Sequence, residues 1–181
     1  AEVAATVSVL RAAVATESVG RVVVTSWAGA VLPAPGTPES LTTYANEAAW
    51  ADADAAAARG DGFTAAKIRS EAAAWALVRS LPAERRLAMV ALCPALALGP
   101  LPTAGSASRG ASKLVGDVLA GSEGSVAAAA ATQGLATIVD VRDVAAAHVK
   151  AMETPHAAGQ RFLLVGASMP WVALAAVLAR G

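Results

Sequence analysis

Cysteine is almost absent. Cys93 stands alone among 181 residues, which excludes an intrachain disulfide and any cysteine-rich zinc site. A reducing compartment, cytoplasm or organelle interior, fits that usage, and a lone cysteine of this kind is expected to pack as a small buried hydrophobe. Net charge is also missing, because 14 Lys and Arg balance 14 Asp and Glu. No long-range field draws the chain to phosphate backbones or anionic membranes, so no nucleic acid is expected as a partner. The first residues lack the basic start and apolar run of a secretory signal. Between Arg86 and Arg109 no charge occurs, a length sufficient to span a bilayer, but Pro94, Gly99, Pro100 and Pro102 interrupt it. The expectation there is a buried strand followed by a loop, and no transmembrane segment. His148 and His156 lie apart without a nearby ligand set, so no metal is expected.

What is present is apolar. Hydrophobic residues make up 56% of the chain, enough to bury a sizeable core in one domain. In "AEVAATVSVLRAAVA", Val3, Val7, Leu10 and Val14 recur at helical spacing, and "GRVVVTS" reads as a strand entered through Gly20. "LPAPGTPES" is a loop, followed by a polar surface excursion anchored at Tyr44 and Trp50. Residues 64–80 predict a helix with Ile68, Ala72, Trp75 and Val78 on one face and Arg79 in its last turn. "LAMVALCP" is the next strand, and "TAGSASRGASKLVGDVLAG" a Gly/Ser-rich loop running into a short helix. "ATIVDV" is a strand, "RDVAAAHVKAMET" a helix, "QRFLLVG" a strand, and "MPWVALAAVLARG" a helix begun by Pro170. The Ala127–Ala131 run is compositional bias towards helix. Strands separated by such helices predict an α/β fold with a parallel sheet covered on both faces.

Two glycine motifs fail on context. "GDGFTA" at 60–65 fits a dinucleotide pattern but follows an alanine-rich polar stretch instead of a strand, so it reads as a loop entering the next helix. "GSASRGAS" at 105–112 carries Ala111 where a phosphate-binding lysine belongs.

Several segments taken in order are more specific than any of them singly: "VLRAA", "RVVVTSWAGAV", "YANEAAWADAD", "FTAAKIRSEAAAW", "CPALALGPL", "IVDVRDVAAAHVKAMETP" and "GQRFLLVG". In that order the chain resembles the extended short-chain dehydrogenase/reductases, most closely the dihydroflavonol reductase/cinnamoyl-CoA reductase branch. The resemblance implies a partial Rossmann-type, doubly wound parallel sheet over residues 1–181, without a separate second domain. It also implies that the N-terminal, cofactor-binding half of the family fold has no counterpart in this chain.

The same resemblance implies NADP as cofactor and reduction of a carbonyl or thioester as the reaction. In such enzymes a tyrosine exchanges a proton with the substrate carbonyl, a lysine four residues later holds the nicotinamide ribose and lowers the tyrosine pKa, and a serine polarises the carbonyl. Lys67 matches the lysine, one helical turn after position 63. Phe63 stands where the tyrosine belongs and has no proton to give, and Trp27 replaces the serine. Ser26 is adjacent to Trp27, but consecutive strand residues point to opposite faces, so it serves only if the strand end is bent. Pro94 opens a segment whose backbone is expected against the nicotinamide. Tyr44, the chain's one tyrosine, is expected to pack, and Asp140, Arg142 and Asp143 to brace a strand–helix junction.

Two readings follow for this chain. One is an NADP-dependent reductase impaired at its catalytic positions. The other is a non-catalytic accessory or scaffold subunit of a larger assembly. The Val22–Ser26 strand lacks Lys, Glu or Pro to blunt an exposed edge, so pairing there with another polypeptide is expected beside any small-molecule substrate.

Overall fold

In the computed structural model, residues 1–32, 46–101, 103, 110–120, 135–178 and 180 are described. Tyr44, the Gly105–Arg109 loop and the Ala127–Ala131 run lie outside them. Three strands with apolar runs form a parallel sheet in the order β1 (Arg21–Thr25), β2 (Ala88–Pro94), β5 (Arg161–Leu164). β2 lies in the middle and is buried from Met89 to Pro94, as a continuous apolar run requires when both faces are covered.

Alternation along the strands assigns the two faces. Val22, Val24, Met89 and Ala91 pack under helix α1 (Glu2–Ala15) and helix α3 (Gly62–Arg79), which contribute Leu10, Ala74 and Trp75. Val23, Val90 and Leu92 face the opposite way, where α5 (Val141–Glu153) contributes Ala147 and Ala151. Helices on both faces of a parallel sheet agree with the sequence expectation. One position differs, because Ala72 of α3 is exposed and Glu71 occupies the buried slot between Ile68 and Trp75.

A second, smaller sheet departs from the single-sheet reading. β3 (Leu96–Leu98) runs parallel to β4 (Leu135–Asp140), which runs antiparallel to β6 (Ala167–Pro170). Pro170 therefore ends a strand and does not begin the last helix, α6 (Trp171–Leu178). A proline is tolerated there because β6 has a strand neighbour on one side only among the described residues and Pro170 is its last residue. Helix α4 (Gly110–Leu119) and α6 pack on this sheet through Leu114, Trp171 and Leu174.

The polar excursion contains a helix that the sequence reading missed. Asp52 accepts the N–H groups of Asp54 at 2.8 Å and Ala55 at 3.0 Å, capping α2 (Ala53–Ala58). Asp61 accepts the Thr64 N–H at 3.0 Å and starts α3. "GDGFTA" thus runs from a tight turn, with Gly60 at φ 82°, into the first turn of α3, and a helix rather than a strand precedes it. No helix among the described residues is long and apolar enough to cross a membrane.

Candidate functional site

The carboxyl ends of parallel strands collect loops and helix starts, and here they collect the singled-out residues. β1 ends at Thr25, and Trp27 follows in extended conformation before a 3₁₀ turn, Ala28–Ala30. The Trp27 indole meets the Phe63 ring edge to face, with centroids 5.5 Å apart and planes at 76°. It also folds back over Gly29, where a Cβ would lie 2.4 Å from Trp27 Nε1. The close approach of the indole is what requires glycine at 29. Phe63, at the start of α3, is 57% exposed.

Lys67 lies one turn beyond Phe63, as its spacing predicted. Its Nζ is 5.8 Å from the Phe63 ring centroid and 3.0 Å from Glu2 Oε1 of α1. The lysine is thus paired within the chain, and the ring beside it, Phe63, carries no hydroxyl.

Ser26 points away from Trp27. It is buried, and its hydroxyl donates to Glu71 Oε2 at 2.5 Å. Ser26 and Lys67 do share the lining of a small cavity of about 30 Å3 between α1, α3 and the end of β1, together with Thr6 and Ser70. The buried Ser70 hydroxyl has no hydrogen-bond partner among the described residues. Pro94 is the buried last residue of β2, in register with Leu164 of β5.

Glu71 and Arg161 were not singled out in the sequence, yet they form the most buried ion pair among the described residues. Their side chains are 1% and 8% exposed, with Arg161 Nε donating to Glu71 Oε1 at 2.6 Å. Trp75 Nε1 donates to the same oxygen at 3.1 Å. The local signal was available in part, since Glu71 sits at helical spacing between Ile68 and Trp75. Cys93 lies 3.8 Å from Glu71 Oε2, and burial, reinforced by that carboxylate, pushes its thiol up to about 12. Cys93 packs as the buried hydrophobe expected of it, and a thiol so held is no nucleophile at neutral pH.

Around the site, Asp140 and Arg142 brace the junction of β4 and α5 as expected. Asp140 caps α5 by accepting the Arg142 N–H at 2.8 Å, and hydrogen bonds from the Arg142 side chain lower its carboxyl to about 2. His148 faces Thr25 at 2.8 Å through Nε2 and the Val144 carbonyl at 2.8 Å through Nδ1. No group of three metal-ligating side chains occurs among the described residues.

No protein-family model matches the sequence. Over 155 residues the chain is 37% identical to cinnamoyl-CoA reductase 1 of Arabidopsis thaliana, which covers 84% of this chain and 40% of that protein. The chain is a cinnamoyl-CoA reductase homologue with a short-chain dehydrogenase/reductase fold. A solved reductase engineered to attenuate substrate inhibition in asymmetric catalysis superposes with a TM-score of 0.78 at 25% identity, over 99% of this chain and 54% of the other. Gre2 from Candida albicans, solved in complex with NADPH, superposes at 0.77 with 22% identity, over 96% of this chain and 52% of that one. The chain spans about half the length of these solved relatives and less than half of the curated one.

Proposed function

We propose that this chain forms the part of an NADP-dependent carbonyl or thioester reductase, of the dihydroflavonol/cinnamoyl-CoA reductase type, that faces the nicotinamide and substrate, and that proton delivery in it is impaired. The observation that carries the reading is the Trp27–Phe63 contact beside Lys67. It occupies the positions of the family's serine and tyrosine with groups that include no phenol or serine hydroxyl. Lys67 and the backbone at Pro94 are the cofactor contacts this reading retains. Ser26 has the right chemistry to polarise a carbonyl, but its hydroxyl is engaged with Glu71.

The described residues do not by themselves fit a dinucleotide. Lys67 is paired with Glu2, and of the two rings in contact only the Trp27 indole carries an N–H donor. NADP therefore enters this reading as the cofactor of the complete reductase, and no step is assigned to it through these side chains. A second reading, a non-catalytic accessory or scaffold subunit, is favoured by the same aromatic contact, which packs where chemistry would occur. Either way, β1 has a strand neighbour on one side only among the described residues, and pairing of Val22–Ser26 with a strand of another polypeptide belongs to both readings.

The test is NADPH oxidation by the purified chain with cinnamoyl-CoA or a small ketone. No turnover above buffer is expected, since loss of a general acid alone costs on the order of 10²–10⁴ in rate. Turnover that disappears in Lys67→Ala would show that another acid is in use. Trp27→Ser combined with Phe63→Tyr separates the two readings, because activity regained in that double variant, with the rest of a reductase supplied, supports an impaired enzyme. Continued inactivity there supports the accessory subunit.

A further inference from the structure

Glu71 and Arg161 take no part in the chemistry proposed above, yet the fold surrounds this charge pair with donors and acceptors from five segments. Glu71 accepts from Ser26 at the end of β1, Trp75 on α3, Cys93 on β2 and Arg161 on β5. Arg161 uses its remaining N–H groups on irregular backbone. Its Nη1 donates to the Glu47 carbonyl at 2.9 Å and the Ala49 carbonyl at 2.6 Å, and its Nη2 reaches the Ala30 carbonyl at 3.4 Å. The guanidinium carbon lies 3.8 Å from the centroid of the Trp50 ring. The Glu47 carboxylate in turn accepts the Leu163 N–H at 3.3 Å, and the Ala51 N–H donates to Ala30 at 3.0 Å.

A buried ion pair is a poor source of net stability, because desolvation offsets its attraction. Its value here is geometric. The segment 46–51 belongs to no strand, and its carbonyls at 47 and 49 find donors in the planar guanidinium fork, which a lysine or an apolar side chain could not supply. The turn that follows Trp27 is held by the same fork through Ala30.

We propose that Arg161 and Glu71 are positioning residues that lock the 46–51 segment and Trp50 against the Ala28–Ala30 turn, and so set one wall of the candidate site. The description of that wall as part of a site rests on the reductase reading. The test does not, since it needs neither turnover nor cofactor and can fail while that reading stands.

The experiment compares the full chain with Arg161→Lys by amide hydrogen exchange and tryptophan fluorescence, with Trp50→Phe used to isolate the Trp50 emission. Arg161→Lys should accelerate exchange at the Ala51 amide about tenfold or more, as expected for loss of hydrogen bonds from a charged group in a locally opening segment. Exchange at Val90–Cys93 in β2 should stay unchanged, and Trp50 emission should shift to the red as its ring loses the guanidinium. If Ala51 exchange is unchanged, or rises only in step with the β2 amides, the pair is a core contact without a positioning role and the proposal is overturned. Should Arg161→Lys fail to fold, Glu71→Gln, which removes the charge, keeps one acceptor oxygen for Arg161 Nε and presents its NH2 to the Ser26 hydroxyl as acceptor, is read by the same criteria.

Discussion

Gly29 and Trp27 are compatible only as a pair, since a Cβ at 29 would meet the indole at 2.4 Å and the Thr64 methyl at 3.2 Å. Gly29→Ala is therefore expected to destabilise the chain by about 1–3 kcal/mol, the usual cost of overpacking. In a Trp27→Ser background the penalty should fall, leaving only the Thr64 contact. Urea unfolding of the four chains measures the coupling, and additive costs would show that the indole is free to move aside. At Cys93 the expected effect depends on pH. The folded-state thiol is raised to about 12 from an ordinary 9.0, so the folded state holds that proton more tightly than the unfolded one. Its contribution is intact below about pH 9 and is lost as pH climbs towards 12. Cys93→Ala should flatten the decline of stability in that window, and the native thiol should resist alkylation at neutral pH until the chain unfolds.

β1 carries its prediction in its ladder. Gly20 accepts from Ala88 and Ser26 donates to Leu92, so by the alternation of a parallel pair the N–H groups of Val23 and Thr25 point away from β2, to the edge that has no strand neighbour among the described residues. Arg21 does not guard that edge, because its guanidinium is turned onto the carbonyls of Ala151, Met152 and Thr154 at the end of α5. If another strand pairs there, the Val23 amide is protected from exchange as strongly as those of β2. Rapid exchange at Val23 in a cleanly monomeric chain would contradict the pairing. At the start of α5, Asp140 is lowered to about 2, so its contribution is present above its ordinary 3.8 and is lost as pH falls towards 2. Asp140→Asn should remove that part of the acid sensitivity, visible as a smaller loss of helical circular dichroism as pH falls from 3.8 to about 2.

For the whole molecule, zero formal net charge at pH 7 leaves little electrostatic repulsion to oppose association. Val9 on α1 and Val149 and Met152 on α5 are exposed on the two helical layers that flank the parallel sheet. Association measured by light scattering should be greatest near neutral pH and should weaken as pH moves away on either side. Scattering that stays at the monomer level across that range, at concentrations well above micromolar, would argue that the exposed valines and the β1 edge are not adhesive.

Sequence by itself determined most of the elements and which side chains at positions 27, 63 and 67 carry a hydroxyl, an indole, a phenyl ring or an amine. The β-branched run at Val22–Val24, the apolar stretch of β2 and the helical spacing of α3 are local patterns, and local periodicity reports which face of an element is buried. Phe63 and Trp27 were legible for the same reason, since a side chain without a hydroxyl lacks it wherever the chain places it. Tertiary structure decided what each buried or charged group meets. Nothing in the spacing of residues assigns Glu2 to Lys67, or Arg161 to Glu71 and Trp50, because those pairs are made by the crossing of α1 and α3 and by the side-by-side placement of β2 and β5. The separation of Leu96–Leu98, β4 and β6 into their own sheet had the same origin. Three- and four-residue strands such as β3 and β6 carry too little pattern to be told from loops, and only their pairing with β4, across some thirty to forty positions of chain, makes them strands.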